Sequence, residues 1–175
     1  QILTTAVEGA MQKVIEMKEQ RHIPFALPDI QDEDRAAVQA VLSQPWLTDG
    51  PQVAAFEEEF ASYLGGNVHA VAVSSCWAAL HLSWLALGIG PGMEVICPSL
   101  THVATAHAIE MTGATPVFVD CDPKTGCITA ELIEPHLTGK TRAVCVMHYA
   151  GIPCDLFDLK DFAYEHSLCV VEDCA

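Results

Sequence analysis

Three short stretches place chemistry-bearing side chains directly after apolar runs. "LCVVED" ends on Asp173. "HAVAV" is followed by Ser74, Ser75, Cys76 and Trp77, and "EVICP" by Ser99, Thr101 and His102. Apolar runs without polar alternation read as parallel strands buried on both faces. In open α/β sheets, ligands gather beyond the carboxyl ends of such strands. A carboxylate at the tip of a buried strand needs a cationic or N–H partner, because leaving it unsatisfied costs at least ~2 kcal/mol. Ser74 and Ser75 open a helix whose free N–H groups attract an anion. A plain serine-capped βα turn is the competing reading. His102 can stack on an aromatic ligand, act as a base, or serve only as structure.

Other candidates read more simply. Gly88, Gly90 and Gly92 in "GIGPGMEV" follow a helix and open a strand, the reverse of a dinucleotide-binding loop, so they form a turn. Asp120 and Asp122 in "DCDPKTG" could hold a metal, but Asp-Pro-x-Thr-Gly is a turn with a solvated rim. His81 and His107 sit in apolar helices and read as satisfied core residues. Cys145, His148 and Cys154 could be drawn as a zinc site, yet their spacing fits no common pattern, so no metal is expected.

The elements that must position these residues alternate regularly. Strands are expected over 69–73, 94–98, 115–120, 142–148 and 168–173. Between them lie helices over Ser75 to Leu87, Thr101 to Met111, Thr129 to Leu137 and Asp155 to Glu165. The class is α/β, a mostly parallel sheet with helices on both faces. Upstream, an amphipathic helix spans Thr5 to Gln20. A second helix runs through "DRAAVQAVLSQ", capped by Asp29 or Asp32 and ended by Pro45. A third, Gln52 to Leu64, is stopped by Gly65 and Gly66. The expected division is an N-terminal helical extension, 1–21, and a domain beginning at 22.

Composition bounds the partners. Eight basic against 23 acidic side chains give a net charge of −15, which argues against nucleic acid or an anionic membrane. No apolar run approaches the ~18 residues of a membrane span. The eight cysteines show no C-x-x-C and mostly lie in strand-like runs, so they read as free thiols of a reducing, cytoplasmic setting.

Taken in order, "IPFALPDI", "WLTDGP", "VAAFEEEFASYLG", "VAVSSCWAALHL", "LGIGPGMEVICPSLTHVAT", "GATPVFVDCD", "HYAGIPCDL" and "VVEDCA" resemble one family. It is the DegT/StrS-type nucleotide-sugar aminotransferases, which depend on pyridoxal 5'-phosphate (PLP) and have the aspartate-aminotransferase fold (fold type I). The resemblance covers about His22 to Ala175. It implies that Ser75, Cys76 and Trp77 hold the cofactor phosphate. His102 would stack on the pyridine, and Asp173 would pair with its protonated nitrogen. Thr48 and Gly50 would lie on the substrate side. It also implies a homodimer, a keto nucleotide sugar as acceptor and an amino acid such as glutamate as donor.

Two departures accompany the resemblance. Cys76-Trp77 stands where the family usually has Gly-Thr, so Trp77 brings bulk and no hydroxyl to the phosphate turn. The Schiff-base lysine of the family lies beyond the acid-bearing strand, and Lys13, Lys18, Lys124, Lys140 and Lys160 match no such motif. No catalytic residue is therefore expected in this chain, and "CVVEDCA" reads as the middle of a larger, incomplete domain. The family's first strand also pairs with strands that follow the acid-bearing one. Competing readings are a non-catalytic relic or ligand-binding module of the same fold, a PLP-dependent sugar dehydratase, and a flavodoxin-like nucleotide-binding module.

Overall fold

A computed structural model describes residues 24, 26–48 and 50–175. The expected helix from Thr5 to Gln20, and the division at residue 21, lie outside them. Internal contacts divide the chain into a unit ending at Phe56 and a second unit, Glu57–Ala175.

In the first unit, α1 (Asp32–Leu42) begins after Gln31, not after an aspartate cap. The Asp34 carboxylate, at the third helical position, accepts the Gln31 N–H at 2.8 Å. Asp32 is thereby drawn inside the helix, and the Asp29 carboxylate accepts from the Gln31 side chain instead. Helix α2 (Pro51–Tyr63) crosses the boundary between the units. Its end is closed by the Gly66 N–H bonding to the Ala61 carbonyl at 2.9 Å. Gly65 and Gly66 take φ of +104° and +77° there, which favours residues without a Cβ.

The second unit continues with α3 (Cys76–Ala86), β1 (Glu94–Pro98), α4 (Val103–Glu110), β2 (Thr115–Val119) and the single turn α5 (Ala130–Ile133). Then come β3 (Thr141–Met147), α6 (Leu156–Glu165) and β4 (Cys169–Asp173). The sheet is parallel throughout, in the order β2-β1-β3-β4. The α/β class and parallel sheet are as expected, but among the described residues the sheet has four strands where five were read.

The missing strand is 69–73. This run is not helical and has no ladder partner among the described residues. Val71 and Val73 are exposed, and the Ala72 N–H is taken by the Glu57 carboxylate at 2.8 Å. Apolar character makes a segment fit for a sheet, but a neighbouring backbone has to complete it.

Side-chain alternation sorts the core into two layers. Val95, Cys97, Ala143 and Cys145 face α3 and α4, meeting Leu80, Trp84, Ala108 and Ile109. Ile96, Val144 and Val146 face the other way, meeting Ile133 of α5 and Leu159 of α6. On β4 the same alternation sends Val171 to the first layer and Val170 to the second. Asp173 therefore follows Val171 toward α3 and α4, and Glu172 follows Val170 toward α6.

Candidate functional site

Asp173 is buried, at 5% exposure, and its carboxylate is gripped from three directions. Oδ2 accepts the Thr105 hydroxyl at 3.0 Å. Oδ1 accepts the Cys76 thiol at 3.4 Å and the Ala175 N–H at 3.2 Å. The tip of β4 thus meets the first turns of both α3 and α4. Thr105 is fully buried, and with its own proton on Asp173 its hydroxyl accepts from that of Thr101 at 2.8 Å, while the Met147 sulfur lies 2.9 Å from the Thr101 oxygen. Met147 is in turn the register partner of Asp173.

All three donors to Asp173 are neutral groups. Among the described residues, no lysine, arginine or histidine forms an ion pair with it. The carboxylate held this way has hydrogen bonds but no charged partner among the described residues. That is the environment in which a ligand cation gains most.

Beside the carboxylate, α3 supplies the anion side. Ser75 caps the helix, its side-chain oxygen accepting the Ala78 N–H at 3.2 Å. The Cys76 and Trp77 amides precede the first intrahelical bond and have no partner among the described residues. Two open N–H groups at the start of an 11-residue helix suit a phosphate. The Trp77 ring stacks on His81, centroids 5.2 Å apart and planes within 10°, and packs against the first core layer. The bulk expected at the phosphate turn is therefore absorbed along the helix flank.

The Cys76 thiol is pushed up to about 11, by burial first and then by the Asp173 charge and the bond to it. It stays protonated at neutral pH and can go on donating.

His102 caps α4, its Nδ1 accepting the Ala104 N–H at 3.1 Å. The ring is exposed, one helical turn before Thr105, and the structural capping role is realised. His81 is half-buried, with Nδ1 3.2 Å from the Ala108 carbonyl, as a satisfied core residue would be. His107 is not one: it is exposed near the end of α4, because the buried stripe there is Thr105, Ala106, Ala108 and Ile109.

Thr48 and Gly50 belong to the first unit. Thr48 is exposed, and the Gly50 carbonyl starts α2 by accepting the Val53 N–H at 3.0 Å. Thr105 was missed from sequence. Its signal was a lone hydroxyl residue among alanines, on the buried face of a helix starting at the site.

The other candidates resolve into turns and ion pairs. Gly92 has φ of +82°, follows Pro91, and the Met93 N–H returns to the Gly90 carbonyl at 3.1 Å, a tight turn feeding β1. Asp122 Oδ1 accepts from the Lys124 and Thr125 amides, which lower its pKa and close the expected acidic turn. Ligand atoms of His148, Glu172 and Cys174 lie within 4.8 Å of one another. His148 Nδ1, however, accepts the Cys154 N–H at 3.1 Å, so Nε2 carries the proton and faces Glu172 at 3.2 Å. Lys160 takes the other Glu172 oxygen at 3.3 Å. The Glu172 oxygens thus face an ammonium and an N–H, and no lone pair of His148 is left for a cation.

The family model of the DegT/DnrJ/EryC1/StrS aminotransferase family matches residues 28–175. The chain belongs to this family. Among solved structures it resembles DesV of S. venezuelae, solved in complex with a ketimine intermediate. Identity is 40% and the TM-score 0.74, over 80% of this chain and 38% of that one. The aminotransferase TlmJ of Streptoalloteichus hindustanus is 39% identical with a TM-score of 0.80, over 89% and 42%. The putative sugar aminotransferase Spr1654 of Streptococcus pneumoniae, solved in PMP and PLP forms, is 31% identical with a TM-score of 0.81, over 89% and 43%. The chain spans about two fifths of the length of these relatives. The family's enzymes are PLP-dependent and of fold type I. No described helix of this member is long and apolar enough to cross a membrane.

Proposed function

We propose that this chain forms the PLP-gripping part of a sugar aminotransferase. The enzyme would take an amino group from an amino acid such as glutamate and pass it to a keto nucleotide sugar. The observation that carries the reading is Asp173, a buried carboxylate with neutral partners only, set against an open helix N-terminus. A pyridinium N–H supplies the missing cation, and a phosphate ester supplies the anion for the Cys76 and Trp77 amides.

When bound, the cofactor supplies an electron-withdrawing ring. The chain's own residues set the conditions for it. Asp173 holds the proton at the ring nitrogen, Thr105 holds Asp173, and Ser75 and the first α3 amides fix the phosphate end. His102 is proposed to cover a ring face, and Thr48 and Gly50 to lie toward the sugar. Residues 1–21 are read as a helical extension to the domain that starts at 22. Eight unpaired thiols suit a reducing, cytoplasmic setting, and a homodimer is part of the reading.

Lys124, Lys140 and Lys160 are exposed, so the lysine of the transfer chemistry is assigned to none of them. The role proposed for the described residues is to bind and orient the cofactor. The test is PLP titration followed by absorbance, comparing wild type with Asp173→Asn. Saturable binding is expected, weakened at least tenfold by the substitution, which removes one member of a charge-assisted pair. Equal binding by both proteins would overturn the reading.

A further inference from the structure

We infer that the Cys76 side chain occupies the place a ring nitrogen must take on Asp173, so that residue 76 sets the chain's affinity for pyridine cofactors. The inference rests on the site reading above. A carboxylate offers about four hydrogen-bond positions. Oδ1 already accepts two, from Cys76 and Ala175, and Oδ2 accepts one from Thr105. With Asp173 at 5% exposure, an incoming donor has little unclaimed carboxylate surface to approach. The fourth position, on Oδ2, belongs to a carboxylate with little open surface, so an incoming donor gains access by displacing one of the three present.

The three differ in how easily they yield. Thr105 is fully buried and coupled to Thr101 at 2.8 Å, so moving it disturbs the first core layer. The Ala175 donor is a backbone amide two residues along the chain from Asp173, tied to it by the main chain itself. Cys76 is exposed, stands at the first position of α3, and turns about a single side-chain torsion. Its S–H is also the weakest donor of the three. A charged N–H makes a bond roughly twice as strong as a neutral one. The exchange therefore runs toward the ligand, but by less than it would at an open carboxylate. With its pKa raised to about 11, the thiol remains a donor, and so a competitor, throughout the neutral range.

The swap involves no covalent step. The thiol rotates to solvent with its proton, and Oδ1 receives the pyridinium N–H in its place. Trp77 adds no second obstacle, since its ring is held against His81.

The experiment compares wild type and Cys76→Ala in titrations with PLP, with a carbocyclic PLP analogue lacking the ring nitrogen, and with inorganic phosphate. The alanine variant is expected to bind PLP roughly three- to tenfold tighter, the range of one neutral hydrogen bond. Its affinity for the analogue and for phosphate should stay within about twofold. PLP binding that is unchanged or weaker overturns the inference. Equal tightening for PLP and the analogue overturns it too, since that would be simple relief of crowding. PLP binding that depends on Asp173 but not on Cys76 sinks the inference and leaves the site reading standing. No PLP binding by either protein sinks both.

Discussion

The Thr105 hydroxyl and the Asp173 carboxylate meet at 3.0 Å, fastening α4 to the tip of β4. Both residues are buried, so the bond joins a charge to its donor out of water, where such bonds are worth most. Thr105→Val keeps the shape and removes the donor. The variant should lose about 1.5–3 kcal/mol in urea unfolding, the range for hydrogen bonds to charged groups. In a double-mutant cycle with Asp173→Asn the two losses should not add. Full additivity would mean that the contact carries no energy.

Alkaline stability should fall early and steeply. Cys97 is fully buried, and burial pushes its thiol up to about 12 from 9.0. Burial raises Cys145 and Cys154 as well. Above pH 9 the unfolded chain loses these protons while the folded chain keeps them. The folded state then binds more protons, so stability declines with pH from about 9 toward 12 and is complete below 9. Each buried thiol contributes a slope of about 1.4 kcal/mol per pH unit inside that window. Urea unfolding at pH 8, 9 and 10 checks this. Cys97→Ala should start lower but decline by about one thiol's slope less.

Much of this was legible in the sequence because it is local or periodic. Strand β1 spans Glu94–Pro98 as read, and Ser75 and Thr129 cap their helices as read. The turns at Gly92 and Asp122 follow from φ preference and side-chain reach. What failed depended on partners. The run 69–73 has strand chemistry but no ladder partner among the described residues. The cap at Gln31 was decided by the reach of Asp34, three residues on. Asp173 was found because a carboxylate ending an apolar run is anomalous. Thr105 was not, because threonine in a helix is ordinary until the fold shows what its hydroxyl touches. The stacking of Trp77 on His81 cannot be read from helix spacing alone.

The described lysines should form no specific link to PLP. Lys160 is the one nearest in sequence to the site, but its ammonium is paired with Glu172 at 3.3 Å. Glu172 and Asp173 point to opposite faces of β4, so Lys160 lies across the sheet from the carboxylate that would hold the ring. Lys124 sits in the Asp122 turn, and Lys140 just before β3, at the end of that strand opposite Met147, the partner of Asp173. Correct placement of a reacting amine supplies roughly 7–11 kcal/mol in well-oriented cases, and an exposed side chain on the wrong face or the wrong end forfeits it. Borohydride reduction of the protein with PLP, followed by peptide mass mapping, is expected to show only scattered, substoichiometric labelling at Lys124, Lys140 and Lys160. Asp173→Asn should leave that scatter unchanged while weakening reversible binding. Stoichiometric labelling of one of these three lysines, lost in the Asp173→Asn variant, would show that its side chain reaches the cofactor after all and that the two faces of β4 do not separate the lysine from the site.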